Sequence, residues 1–357
     1  MRYPKYLLFK PKSLSEKIFY RLSLLFLKTV TANNYYDRAV LWGAQIKKTA
    51  TEIIRKEKIT NVIASGAPFH LIYHVLKVKQ NIPGLNLIAD FRDMWTSLPF
   101  YMGISSLSAS RLKKELAMET DITDHADVII SVSDEILNGY RKKCHNPQTK
   151  FAEIPNGFDK DDIPAVNPTA IGSPVPSDNK IHFVFTGTLY LQIEYIFVPF
   201  LKALEAIRNE NIKNYNLMQF SFYGDFPDKY KELVRKMNIE IIKSSGHISL
   251  DEVYGKISAS SLGMLFLIPE VNYSFSTKFC EYLSMRKKII VFSKPGKTSD
   301  FIIRNNLGYA ASAENIKETL LQVITDFKEN RLELKSDFDV DQYSIEHLTG
   351  KLIECFR

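Results

Sequence analysis

The sequence predicts an α/β protein built from two Rossmann-like, doubly wound domains. Three observations predict it. The chain has 357 residues, enough for about two domains. Short apolar runs alternate with helix-length periodic segments in both halves, the pattern of parallel sheets with helices on both faces. Between the two alternations lies an aperiodic stretch carrying Pro164, Pro168, Gly172, Pro174 and Pro176, which reads as a linker.

In order, Asp37–Glu57 reads as a long helix, with Ala39, Trp42, Ile46 and Ile53 among its apolar positions. Asn61–Ala64 is a strand that ends in a Ser65-Gly66-Ala67-Pro68 turn. His70–Lys79 is a helix and Asn86–Asp90 the next strand. A charged helix runs from Arg111, followed by strand Val128–Val132, helix Ser133–Cys144 and strand Phe151–Pro155. The second alternation opens with strand His182–Phe185. Helix Ile196–Asn209, strand Gln219–Tyr223, helix Asp228–Met237 and strand Glu240–Lys243 come next. Helix Ser249–Ala259, strand Leu262–Leu267, helix Ile316–Phe327 and an amphipathic C-terminal helix over Tyr343–Phe356 complete it. The expected domains are 1–165 and 181–335, joined by a linker over 166–180. Residues 336–357 form a helix able to cross back onto the first domain.

The composition is 45% hydrophobic and 24% charged, ordinary for a globular chain. A net charge of +7 fits a phosphate-bearing partner. The charge is dispersed with no aromatic–basic platform, which argues against nucleic acid. Cys144, Cys280 and Cys355 form no close pair, so neither a disulfide framework nor a zinc site follows and a reducing compartment is expected. The apolar stretch Ile18–Val30 is too short to span a bilayer and carries Arg21 and Lys28. Residues 1–28 interleave Lys5, Lys10, Lys12, Lys17, Arg21 and Lys28 with Leu, Ile and Phe. That mixture suits a helix lying on an anionic membrane surface, or a helix packed on its own domain with its cations solvated.

The stretch Tyr273–Ser293 reads as loop, helix and strand. Ser276 is placed to cap the helix, with Thr277 and Lys278 in its first turn. Free N–H groups, the positive end of the helix dipole and an ammonium would then converge on one point, an anion site. Glu281, three residues on, shares that face and can accept from ribose hydroxyls. The alternative is a surface helix with an i, i+3 ion pair. Ligands bind open α/β sheets at strand C-terminal ends, so Ser65, Gly66, Asp90, Gly187, Gly224 and His247 are candidates by position. At the end of Asn86–Asp90 stands Asp90-Phe91-Arg92-Asp93-Met94-Trp95. Its carboxylates suit sugar hydroxyls, its Trp a sugar face and its Arg a phosphate; a structural Asp–Arg pair is the alternative. Asp159-Lys160-Asp161 and Asp339-Val340-Asp341 are not read as metal sites, and His70 and His74 lack a third ligand nearby in sequence.

The ordered set Ser65–Pro68, Asp90–Trp95, Ala126–Ser133, Ile154–Asp159, Phe185–Thr188, Phe222–Asp225, Gly246–Ile248 and Tyr273–Ser293 resembles GT-B glycosyltransferases. It is most similar to a bacterial subset of family 4 with a D-F-R-D-x-W motif. The resemblance covers roughly residues 37–335. Two GT-B domains facing a cleft are what it implies. Its second family Glu falls at Tyr273, with Glu270 three residues earlier. No Gly-rich strand-end loop precedes Asp37, so the family's first βα units are absent or replaced, or the chain starts late. After Thr186-Gly187-Thr188, where relatives often carry Arg or Lys, the sequence runs Leu189-Tyr190-Leu191-Gln192.

The resemblance implies sugar transfer from a nucleotide-sugar, a UDP-sugar foremost, to a saccharide or lipid-linked saccharide. Configuration would be retained, with no metal or other cofactor, in synthesis of a bacterial surface polysaccharide. Lys278, Asp90 and Asp93 are the expected catalytic group. Gly187, Thr188, Gly224, His247, Ser276, Thr277, Lys278 and Glu281 are expected to hold the donor. Ser65, Gly66, Asp90, Arg92, Asp93 and Trp95 are expected to hold the acceptor. The expected location is cytoplasmic, peripheral on the inner face of the membrane. The rival reading is a non-catalytic nucleotide-sugar-binding subunit that assists a partner transferase.

Overall fold

A computed structural model of the chain describes residues 11–30, 37–97, 107–163, 178–269, 273–335 and 337–356. Lys5, Lys10, most of the expected linker and Glu270 lie outside the described residues. The chain folds as two compact units, Met1–Pro155 with Gly350–Arg357, and Asn156–Thr349.

The first unit opens with helix α1 (Leu14–Val30). Ser13 Oγ accepts from the Glu16 N–H at 3.2 Å and Glu16 Oε2 accepts from the Ser13 N–H at 3.0 Å, a capping box that starts the helix. The single long helix expected over Asp37–Glu57 is broken. Arg38–Leu41 forms a 3-10 turn, and α2 begins at Gly43 and runs to Lys56. The cause is Asp37, which is buried and accepts from both the Ala39 and His70 N–H groups at 2.9 Å. Those bonds draw the turn against the next helix, and a Cβ at Gly43 would lie 2.9 Å from the His74 ring.

Strands β1 (Asn61–Gly66), β2 (Asn86–Phe91), β3 (Val128–Ser131) and β4 (Lys150–Glu153) follow, separated by α3 (Phe69–Lys79), α4 (Ala109–His125) and α5 (Asp134–Arg141). All neighbours are parallel, in the order β1-β2-β3-β4. Every residue of β2 is buried, the apolar Leu87–Ala89 between polar Asn86 and Asp90, as in a parallel strand covered on both faces. The register sets Ser65 beside Asp90 at the C-terminal edge. At the other edge Asn86 Nδ2 donates to the Cys355 carbonyl at 3.1 Å, which ties the C-terminal residues to this unit.

The second unit contains β5 (Ile181–Thr186), α6 (Glu194–Glu210), α7 (Ile212–Asn216), β6 (Met218–Tyr223), α8 (Asp228–Lys236) and β7 (Ile242–Ser244). These are followed by α9 (Leu250–Ser258), β8 (Leu262–Phe266), α10 (Thr277–Ser284), β9 (Lys288–Phe292), α11 (Lys297–Arg304), β10 (Gly308–Ala311) and α12 (Ile316–Lys328). Helix α13 (Ile345–Ile353) comes last, and its residues from Gly350 on count with the first unit. The parallel sheet runs β10-β9-β8-β5-β6-β7, the doubly wound order with its reversal between β5 and β8. Its two faces are separate cores. Phe183, Phe185, Met264, Phe266, Ile290 and Phe292 pack on one side, and Val184, Leu265, Ile289 and Val291 on the other. That is the period-2 alternation of a strand buried on both faces. The sequence reading missed α7, α11 and β10. All three are too short to show a period, and β10 opens at Gly308, where φ is +151° and a Cβ would overlap the Ile289 backbone.

Helix α10 sits unusually close to the sheet. A Cβ at Gly263 of β8 would overlap the ring of Tyr282, which is wholly buried. The Tyr282 hydroxyl accepts from the Thr186 N–H at 3.3 Å and donates to the Val184 carbonyl at 3.2 Å. Gly263→Ala is therefore expected to cost about 1–3 kcal/mol by overpacking. Denaturant unfolding measures it; an unchanged midpoint would mean that the ring has room to move.

Candidate functional site

The strand order reverses between β5 and β8, and the crevice outside the C-terminal ends of the strands at such a reversal is the ligand position of doubly wound sheets. Three backbone turns meet there. Gly187 follows β5 with φ +104°, and Gly224 follows β6 with φ +122°. A Cβ at Gly224 would overlap the Gly187 carbonyl, so this approach of two turns requires glycine. The Gly187 N–H donates to the Tyr223 carbonyl at 2.7 Å and the Gly224 N–H to the Gly246 carbonyl at 2.6 Å.

Helix α10 brings its first turn to the same place. Ser276 is the N-cap and its hydroxyl accepts from the Phe279 N–H, as the sequence predicts. A Cβ at Gly187 would lie 2.7 Å from Lys278 Cε and 3.0 Å from its Nζ, so the ammonium rests on the bare backbone after β5. It also stands 5.6 Å from the centre of the Phe185 ring. Burial lowers the Lys278 pKa, an effect that neighbouring Glu281 offsets. Burial raises the Glu281 pKa, and Lys278 offsets that in turn. Both residues are half-buried, and the charge of each opposes the shift that burial imposes on the other. Thr277 is exposed beside them.

Around the crevice, Thr188 Oγ1 donates to Asp225 Oδ2 at 3.5 Å, and His247 Nε2 lies 3.1 Å from Asp225 Oδ1. Asp225 was not among the expected site residues, yet it joins two of them. Its position directly after a strand-end Gly is the signal that was available. Tyr282, which fixes α10 beneath Lys278, was also not among the expected site residues. Below α10, Cys280 Sγ donates to the Asn156 carbonyl at 3.1 Å, and burial pushes that thiol up to about 12. Asn156 Nδ2 in turn donates to the Phe275 carbonyl at 2.8 Å. Just after α10, Lys287 is buried and donates to the Ser258 carbonyl at 2.8 Å, at the C-terminus of α9. Burial lowers its pKa to about 8.

In the first unit, Ser65 and Asp90 meet across β1 and β2. Ser65 Oγ donates to Asp90 Oδ2 at 2.7 Å. Asp90 Oδ1 is buried and accepts no hydrogen bond within the described residues, and Arg92 Nη1 stands 3.9 Å from it. The Arg92 N–H donates to the Gly66 carbonyl at 3.2 Å. Asp93 is half-buried, and its carbonyl accepts from the Tyr140 hydroxyl at 3.1 Å. Trp95 departs from expectation. It is 1% exposed, stacked 5.4 Å from Phe69 and edge-on to His70 at 5.7 Å, so it offers no face to a sugar. It is the core anchor of the loop. Two buried glutamates of α4 lie nearby, Glu119 bonded to the loop itself and Glu115 to His70 beside Trp95, and sequence reasoning did not single them out. Glu115 lies 2.8 Å from His70 Nε2 and accepts from Arg111 Nε at 2.7 Å. Glu119 accepts from Thr96 Oγ1 at 2.5 Å and Lys143 Nζ at 2.6 Å. The two D-x-D segments are backbone turns: Asp159 Oδ1 accepts from the Asp161 N–H and Asp339 Oδ1 from the Asp341 N–H.

No protein-family model and no curated protein matches the sequence. Solved structures do match. Sucrose-phosphate synthase from Thermosynechococcus elongatus aligns with a TM-score of 0.63 and 14% identity, over 87% of this chain and 77% of that one. The Anabaena protein HepE, solved with UDP-glucose, aligns at 0.62 and 15% identity, over 87% and 80%. The fold is that of the GT-B glycosyltransferases. A Listeria monocytogenes protein assigned as a UDP-N-acetylglucosamine 2-epimerase also aligns, at 0.52 and 10% identity over 87% and 77%. The GT-B fold therefore carries more than one chemistry, and function rests on the site.

Asp90 provides a test of the geometry in the first unit. Burial raises its pKa above the ordinary 3.8, against the lowering by Ser65 and Arg92. A folded-state pKa above the unfolded one means the native chain holds that proton to higher pH. Its contribution to stability is full below the unfolded pKa and is lost as pH rises through the folded one. Asp90→Asn is expected to flatten the fall of Tm in the window just above pH 3.8. An identical pH slope in the variant would show that Asp90 is solvated.

Proposed function

We propose that the chain is a glycosyltransferase that moves a sugar from a UDP-sugar to a saccharide hydroxyl. One observation carries this reading: the Lys278 ammonium lies against Gly187 at the sheet reversal, with the first turn of α10 beside it. A diphosphate seated there meets an ammonium and a helix N-terminus beside two close-packed glycine turns. The complex of HepE with UDP-glucose supports the choice of donor. The motifs from Ser65 to Ser293 support the finer placing in family 4.

As the glycosidic bond breaks, its electron pair passes to the diphosphate oxygen. Lys278 and the α10 N-terminus stabilise the charge that develops, and act more strongly on the transition state than on the bound donor. Glu281 accepts from the ribose hydroxyls, which do not change during transfer. His247 and Thr188, both joined to Asp225, border the donor. Transfer proceeds with retention, the leaving diphosphate taking the acceptor proton, and needs no metal. Asp90, Arg92 and Asp93 bind the acceptor, a lipid-linked saccharide of bacterial surface polysaccharide synthesis.

Thermal unfolding with UDP-, GDP- and dTDP-sugars tests donor choice. The correct donor at ~100 Kd adds about 2.7 kcal/mol of stability. Lys278→Ala is expected to lower kcat by ~10²–10³, and Glu281→Ala to raise donor Kd with kcat largely kept. Lys278→Met, which retains the apolar stem, controls for exposing half-buried Glu281, and Tm is matched across the set. Near-normal kcat/KM in both Lys278 variants would remove the donor site from α10. A donor that stabilises the protein without being hydrolysed or transferred would favour the non-catalytic subunit.

A further inference from the structure

Helix α1 is built inside out for a helix of a water-soluble domain. Such helices turn their apolar stripe inward and leave polar residues in solvent. Here Leu14, Ile18, Leu22 and Leu25 recur at spacings of four, four and three, and are 76%, 53%, 56% and 62% exposed. Phe19 and Phe26 widen the stripe at 48% and 47% exposed. At 3.6 residues per turn these six side chains cover an arc of about 140°. Leu27, on the opposite side, is 1% exposed, so the helix is seated by its other face. The outward face, and not the seated one, is the broad apolar one. A contiguous exposed apolar surface of this kind marks an interaction site.

Charge identifies the partner. Lys17, Arg21 and Lys28 are exposed, and each stands three residues after a member of the stripe: Leu14, Ile18 and Leu25. They therefore form a cationic border along one edge of the arc. Glu16 is the one acidic residue between Leu14 and Val30. Its carboxylate is turned back to the Lys12 and Ser13 N–H groups at 2.7 Å and 3.0 Å, away from that edge. An apolar arc with a cationic border matches a surface that is hydrocarbon within and anionic at its rim.

We propose that α1 lies in the plane of an anionic bilayer, with Leu14, Ile18, Leu22 and Leu25 inserted and Lys17, Arg21 and Lys28 on the lipid phosphates. The helix is about 26 Å long at 1.5 Å per residue, a length that lies along the interface and does not cross it. Membrane docking is independent of sugar transfer, since vesicle binding needs no donor.

Flotation of the full chain with phosphatidylglycerol–phosphatidylcholine vesicles, against pure phosphatidylcholine, tests it at low salt. Binding is expected on the anionic vesicles and to weaken as salt rises. Lys17→Gln with Arg21→Gln is expected to bind roughly 30-fold more weakly. Ile18→Asp with Leu25→Asp is expected to abolish binding while leaving Tm unchanged, since both side chains are exposed. A Leu22→Trp variant is expected to shift its emission to the blue on anionic vesicles. Equal binding to both vesicle types, or none to either, overturns the proposal. So does a dimer in lipid-free sedimentation that Ile18→Asp with Leu25→Asp dissociates, because a second copy would then be the occupant of the arc.

Discussion

The candidate donor site depends on one contact, the Tyr282 ring lying on Gly263. It draws α10 onto the sheet where β5 and β8 diverge, and the Tyr282 hydroxyl then bonds to the edge of β5 through the Thr186 N–H and the Val184 carbonyl. Four residues before it, on the same side of the helix, Lys278 is carried onto Gly187. With any side chain at position 263 the helix would stand off, and the ammonium would leave the crevice. A packing constraint of the core thus sets the electrostatics of the crevice. The burial that lowers the Lys278 pKa and raises that of Glu281 is the burial that Tyr282 enforces.

The strand-end cluster of the first unit is organised differently. Its polar residues lie at the C-terminal ends of β1 and β2, but the loop that follows is held by groups beneath it. Trp95 fills the core between Phe69 and His70, and Glu115 and Glu119 of α4 are fully buried acceptors. Buried carboxylates of this kind are tolerated because each meets a cation and further donors. Beside this loop Asp90 has one oxygen engaged by Ser65, and the other accepts no hydrogen bond among the described residues. A buried carboxylate with spare accepting capacity at a strand end is suited to binding hydroxyl groups.

Helix α1 shows how little composition says about direction. Its mixture of cations and large apolar residues fits a helix seated on its own domain as well as one lying on a bilayer. The exposures of Leu14, Ile18, Leu22 and Leu25, set against the burial of Leu27, are what the proposed docking on a bilayer rests on.

Much of the fold was legible in the sequence because it rests on local periodicity and on turn residues. The strand runs, the Ser276 cap and the strand-end glycines each signal themselves within a few residues. Lys278 and Gly187 were both recognisable as candidates for the same reason. What the tertiary structure alone decided are matters of contact between distant segments. Asp37 bonds to His70 and breaks a helix that reads as continuous, and β10 and α11 are too short to carry a period. Trp95 sits in a motif that suits sugar stacking, yet its neighbours Phe69 and His70 occupy its faces. Glu115 and Glu119 read as surface charges on a charged helix until His70, Arg111, Thr96 and Lys143 are brought to them. The sequence determined which side chains are available at each strand end. Packing determined which of them face a crevice and which are spent holding the loop in place, because burial is a property of all the segments that meet at a point.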